Sequence, residues 1–237
     1  MLEIRNLTKT YRGGKVAVSD LSLNIEAGDI FGFIGHNGAG KTTTIKCVTG
    51  IIGFDSGEIL VDGHSVRREP IACKQRIAYI PDNPDLYEHL TGAQYVKFIC
   101  DVFQVSDSDR RARVERYAEA LGMQDSLGEL ISAYSHGMKQ KLALIAALAH
   151  SPKLMVLDEP FVGLDPAAAL TLKEIMREKC AEGAAVFFST HVLDVAEKLC
   201  NKVAIIREGA LVAAGRTDEL TGGRSLEDVF MEVVGRA

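Results

Sequence analysis

Apolar and polar positions alternate near the start of the chain. Leu2 and Ile4 precede Leu7, and Leu21, Leu23 and Ile25 are interleaved with Ser22, Asn24 and Glu26. Side chains of a strand point to opposite faces in turn, so both stretches predict half-buried strands. Between them, Arg12-Gly13-Gly14-Lys15 reads as a hairpin turn. Asp29-Ile30-Phe31-Gly32-Phe33-Ile34 is a nearly unbroken apolar run, the pattern of a strand buried on both faces. Glu58 to Val61 followed by Asp62-Gly63 predicts a strand and tight turn, and Ile77 to Ile80 a short strand stopped by Pro81.

The period then changes. Tyr95, Phe98, Ile99, Val102 and Phe103 recur at helical spacing after a start at Thr91; Asp107 to Leu121 predicts a second helix closed by Gly122, and Gly137 to Ala149 a third closed by Ser151-Pro152. Sheet signals resume with Leu154 to Leu157. Pro166 opens a helix to Glu182, Ala184 to Phe188 is a buried strand, and Val192 to Leu199 a short helix. Val203 to Ile206 and Ala210 to Ala213 flank Glu208-Gly209 as a hairpin, and Ser225 to Phe230 begins a closing helix. The expected organisation is one α/β domain over 1–237. A core with a β-rich part covers 1–81 and 151–220, a helical insert covers 82–150, and a C-terminal helix covers 221–237.

Composition narrows the classes. The 237 residues are 47% hydrophobic, enough for a full core, and the net charge of −5 disfavours nucleic acid as a partner. Arg110-Arg111-Ala112-Arg113 lies among Asp107, Asp109 and Glu115 and reads as a solvated helix face. No secretory pattern opens the chain, and no apolar run approaches the roughly 18 residues of a membrane span. The five cysteines are scattered, without C-x-x-C spacing, and are expected to be reduced core thiols.

The candidate chemistry begins at Gly35-His36-Asn37-Gly38-Ala39-Gly40-Lys41-Thr42, which fits the phosphate-loop pattern G-x-x-x-x-G-K-[ST]. Glycines let successive N–H groups converge on phosphate oxygens, and the following helix aims its positive end at the same anion. Lys41 adds charge beside the β- and γ-phosphates, and the Thr42 hydroxyl can ligate the accompanying Mg²⁺. Thr43 falls in the same turn, whereas the His36 side chain is expected at the surface without a chemical role. Downstream, the strand Leu154 to Leu157 ends in Asp158-Glu159. Ligands of open α/β sheets bind at the carboxyl ends of strands. Asp158 is therefore placed for Mg²⁺, and Glu159, pointing elsewhere, for taking a proton from water.

Tyr134-Ser135-His136-Gly137-Met138-Lys139-Gln140-Lys141-Leu142 resembles the signature segment L-S-G-G-Q-K-Q-R-V of the ATP-binding-cassette (ABC) ATPases. A serine cap on a helix would explain Ser135 by itself. The order of motifs favours the family. Gly163-Leu164-Asp165-Pro166 resembles its segment between subunits, His191 its switch histidine at the γ-phosphate, and Tyr11 the aromatic that stacks on adenine. The resemblance covers nearly the whole chain. It implies a nucleotide-hydrolase core of mixed sheet flanked by helices, with an antiparallel β-subdomain and a helical signature subdomain. It implies ATP with Mg²⁺, held between the loop of one subunit and Ser135 and Gly137 of another. It also implies transmembrane permease subunits as partners, at the cytoplasmic side of the cell membrane, with the segment from Asp82 to Thr91 as docking surface.

Two departures matter. Asp82 stands where the family usually carries glutamine. A carboxylate there could reach Mg²⁺ through water, resembles cassettes of bacterial exporter-type systems, and is expected to matter more for coupling than for hydrolysis. His136 and Met138 replace a glycine and a glutamine of the signature. Two rival classes remain at this level. One is a soluble ABC ATPase acting on ribosomes or DNA, disfavoured by the single cassette and acidic balance. The other is a small-molecule kinase or GTPase, disfavoured by the Ser135 segment and by the lack of a guanine-reading N-K-x-D.

Overall fold

The computed structural model describes residues 1–235; Arg236 and Ala237, the end of the expected closing helix, lie outside the described residues. Among the described residues the strands form two sheets. The antiparallel sheet contains β1 (Leu2–Thr10), β2 (Val16–Ile25), β4 (Ser56–Val61) and β5 (His64–Ser65), in the order β2-β1-β4-β5. The second contains β3 (Ile30–Ile34), β6 (Ile77–Ile80), β7 (Leu154–Asp158), β8 (Ala185–Thr190), β9 (Lys202–Arg207) and β10 (Ala210–Arg216). Its order is β10-β9-β3-β8-β7-β6, parallel except for β10, which pairs antiparallel with β9. The mixed sheet that the family resemblance implies is therefore present.

The unbroken apolar runs are explained by two cores, one on each face of this sheet. Ile30, Ile34, Met155, Leu157, Val186 and Phe188 point to a helical layer. Their alternate neighbours Phe31, Phe33, Leu154, Val156, Ala185 and Phe187 point to the antiparallel sheet. Phe187 packs against Phe33 at 5.4 Å between ring centroids. A strand with both faces covered has no use for a polar position.

The helices are α1 (Lys41–Val48), α2 (Pro70–Lys74), α3 (Gly92–Val102), α4 (Asp107–Ala120), α5 (His136–Ala149), α6 (Pro166–Ala181), α7 (Leu193–Leu199), α8 (Thr217–Thr221) and α9 (Leu226–Gly235). Their starts follow local chemistry. Thr91 and Gln94 form a reciprocal capping box at α3. Ser106 caps α4, and Asp165 caps α6 with Pro166 at its first turn. The basic cluster on α4 is satisfied as expected: Arg110 lies 2.8 Å from Asp107 and Arg113 3.6 Å from Asp109. All five cysteines are free and buried, and burial pushes the Cys47 and Cys180 thiols up to about 11, which keeps them protonated and unreactive. The closing stretch is broken: Gly222, at φ 54, ends α8 before α9 begins at Leu226.

Between the sheet and the helical layer lies a cleft of about 330 Å³, lined by Tyr79, Pro84, Leu86, Tyr95, Phe103 and His150 among others. His150 stacks on Phe103 with centroids 3.8 Å apart. Burial, assisted by the charge of Arg113, lowers the imidazole pKa to about 4. Between about 6.5, where a free imidazole titrates, and about 4 the unfolded chain binds a proton at this position that the folded chain refuses. Stability from this group is thus complete at neutral pH and declines as pH falls through that window. Urea midpoints measured across it should drop for the wild type, and His150→Phe, which keeps a ring on Phe103, should flatten that part of the decline.

Candidate nucleotide site

The phosphate loop is bent by its neighbours. Gly40, the N-cap of α1, has φ 109, and any Cβ there would strike the carbonyl oxygen of Ala17. Ala39 donates to the His36 carbonyl at 3.1 Å, and Gly209, in the β9–β10 turn, donates to the Ala39 carbonyl at 2.9 Å. Lys41 is 6% exposed. Its Nζ donates to the Gly35 carbonyl at 2.6 Å and the His36 carbonyl at 3.4 Å, and lies 3.6 Å from Glu159 Oε1. The ammonium is held across the mouth of its own loop.

The acids come from β7. Register pairs Asp158 with Ser189 on β8. The Ser189 hydroxyl donates to Asp158 Oδ1 and accepts from the Glu159 amide at 3.1 Å. Glu159 adopts φ 48, a left-handed conformation that turns its side chain away from the direction taken by Asp158. Its Oε1 lies 3.0 Å from His191 Nδ1. Backbone strain of this kind persists where surrounding bonds fix it, and here the Ser189 hydroxyl and carbonyl both hold the Glu159 amide. Tyr79 sits near both Asp158 and Asp82; burial, with those two carboxylates adding, pushes its phenol up to about 12.

A cavity of about 260 Å³ gathers most of the residues singled out from sequence. Tyr11, His36, Asn37, Gly38, Gly40, Lys41, Thr42, Thr43, Asp82, Asp158 and Glu159 all line it. Gly35 and Ala39 form the buried back of the loop, and His191 joins through Glu159. Tyr11 reaches Thr43 at 3.3 Å between hydroxyls. Lys15 and Ala17 also line the cavity. Lys15 is a lining residue that the sequence marks only as part of a hairpin turn; that turn, by returning the chain beside Tyr11 (Tyr11 N–H to the Lys15 carbonyl, 2.9 Å), is the signal for it. Ser189 left none, because its role follows from strand register. The His36 side chain is exposed, as expected, but its ring meets Phe230 of α9 edge-on at 4.9 Å.

Ser135 and Gly137 do not line this cavity. Ser135 is exposed and caps α5 by accepting from the Met138 amide at 3.3 Å. The start of α5 rests on the loop after Glu159. Lys141 lies 2.7 Å from Asp165, whose carboxyl is held below the usual range by that lysine and by the Ala168 amide. A Cβ on Gly137 would fall 2.8 Å from the Gly163 carbonyl oxygen.

The model of the family described as "ABC transporter" matches residues 18–162, more than half of the chain. The chain belongs to the ABC transporter family. It is 36% identical to the uncharacterized ABC transporter ATP-binding protein YhcH of Bacillus subtilis, over 90% of this chain and 68% of that one. It is 35% identical to the SkfA peptide export ATP-binding protein SkfE of the same organism, over 90% of this chain and 87% of the relative. A solved structure of an ATP-binding subunit of an ABC transporter superposes with a TM-score of 0.95 at 32% identity, covering 99% of both chains. This ABC protein is an ATP-binding transporter subunit and an ATPase. Such subunits work with transmembrane components, and no helix among the described residues is long and apolar enough to cross a membrane.

Contact between α5 and the Gly163 loop yields a test. Gly163 has φ +80, and a Cβ there would approach His136 Cδ2 to 2.5 Å. Gly163→Ala should lower thermal stability, by about 1–2 kcal/mol from the left-handed backbone alone, and reduce ATPase activity. Adding His136→Ala should restore only the part due to the clash, read by thermal unfolding and turnover of the single and double variants.

Proposed function

We propose that this subunit closes head to tail on a second copy or a close relative, clamps two ATP molecules in the seam, and drives export through separate permease subunits. The observation that carries this reading is the division of the site. Lys41 and Glu159 line one cavity, with His191 bonded to Glu159 at its edge, while Ser135 and Gly137, a helix start suited to an anion, lie outside it with no bond to either. A partner's Ser135 and Gly137 would complete what one chain leaves open, which requires two-fold or pseudo-two-fold symmetry. Val162 and Val192, exposed beside Glu159 and His191, suit such a seam.

In this reading Tyr11 stacks on adenine, and the amides of Gly35 to Thr43 cradle the phosphates. Lys41 exchanges its loop carbonyls for the β- and γ-phosphate oxygens. Hard oxygen donors suit Mg²⁺, and the Thr42 hydroxyl, Asp158 and, through water, Asp82 line the same cavity. Bound there, Mg²⁺ would neutralise charge developing on the phosphates. Ser189 occupies one oxygen of Asp158 and leaves the other for ligation. Glu159 orients water and takes its proton, with His191 steadying that carboxylate and facing the γ-phosphate.

The coupling surface would be the cleft between sheet and helical layer, with the segment from Asp82 to Thr91 on its rim. Tyr87 is exposed and packs on Phe98 at 5.7 Å and Tyr95 at 6.2 Å, an aromatic group suited to a partner helix. Lys139 of α5 reaches Glu88 at 2.5 Å, tying that rim to the start of the signature helix. Export is supported by the Asp82 carboxylate and by the likeness to a peptide export protein. The subunit would sit at the cytoplasmic face of the membrane, held by its permease partners.

Glu159→Gln should still bind ATP, lose about 10²–10⁴ in turnover, and accumulate as an ATP-bound dimer in size-exclusion chromatography. A variant that stays monomeric and turns over normally would overturn the assignment. Asp82→Ala should keep far more basal ATPase than Glu159→Gln while losing stimulation by the permease; equal losses of basal activity would remove Asp82 from the coupling role.

A further inference from the structure

The phosphate loop is a thin partition. His36, Asn37 and Gly38 line the nucleotide cavity on one side. On the other they line a second cavity of about 410 Å³, whose far wall includes Ile206, Arg207 and Val234. A loop framed by glycines has few side chains to hold it from behind, and the ordering it lacks must be supplied when ligand binds. Here α9 supplies a backing. Phe230, 5% exposed, presents its ring to the His36 ring at 4.9 Å in an edge-on arrangement. Arg207, at the end of β9, donates to the Val234 carbonyl at 3.0 Å and fixes the far end of α9. The near end is fixed by Glu197 of α7, which accepts from the Leu226 amide at 2.7 Å. The residue whose ring is gripped also has its carbonyl in the loop's own network, accepting from Lys41 and Ala39.

We propose that Phe230 is a positioning residue for nucleotide: through the His36 ring, the C-terminal helix holds the phosphate loop in its binding shape and so sets ATP affinity. The inference rests on the reading that Gly35 to Thr42 bind the phosphates of ATP. An edge-on ring pair of this kind corresponds to about three- to tenfold in binding.

The test measures Mg·ATP affinity by calorimetry on the full chain. Phe230→Leu keeps apolar bulk in the core, and His36→Ala removes an exposed side chain. Each should weaken ATP about three- to tenfold, raising KM more than it lowers kcat, and the double variant should be no weaker than the worse single one. Met231→Ala, on the exposed side of α9, should leave affinity unchanged. If Phe230→Leu unfolds, His36→Ala still decides: wild-type affinity in that variant overturns the proposal, as do additive losses in the pair. Lys41→Ala separates the two levels. Should it lose ATP while His36→Ala and Phe230→Leu bind normally, only the role of α9 fails. Should it bind ATP like the wild type, the reading of the loop itself fails.

Discussion

Burial of both faces of the parallel strands decides where this protein can put charge. β3, β7 and β8 each feed alternate side chains into separate cores, so polar groups on them are confined to their carboxyl ends, at Asp158, Ser189 and Thr190. Charge is displaced to the strand ends, where β3 runs into the phosphate loop and β7 into Asp158 and Glu159. Since β3 and β7 both pair in parallel with β8, the loop, the acids and His191 arrive at one edge together. The site follows from the packing of the sheet; no separate scaffold is needed to assemble it.

What that edge can do depends on bonds that stiffen it. Ser189 reads the register between β7 and β8 and hands it to both acids, one through its hydroxyl proton and the other through its lone pair. Glu159 is thereby kept in a conformation that few L-residues adopt, aimed at His191 and within ion-pair distance of Lys41. The ammonium is buried and fixed by the Gly35 and His36 carbonyls of its own loop.

Much of this was legible from residues alone, because the phosphate loop, the acidic strand end and the capped helices are local patterns with local causes. Thr91, Ser106 and Asp165 cap helices for reasons contained within four residues of chain. Tertiary facts were not legible. Helical period in Tyr95, Phe98, Ile99, Val102 and Phe103 predicts α3 correctly, but the residues it buries fully are Val96 and Cys100, while Phe98 and Val102 face outward. Periodicity reports a helix and cannot say which apolar side chains are reserved for a neighbour. The short α2 and the β5 pairing had no periodic signal. The meeting of His36 with Phe230 joins residues from nearly opposite ends of the sequence, and nothing local to either announces it.

The start of α5 and the loop after Glu159 touch through Gly137 and Gly163 with no room for even a methyl group between them. Elements packed that tightly have no play. Neither can shift toward the other without displacing its neighbour, so the place of the front of α5 and the course of the backbone just beyond Glu159 are set together.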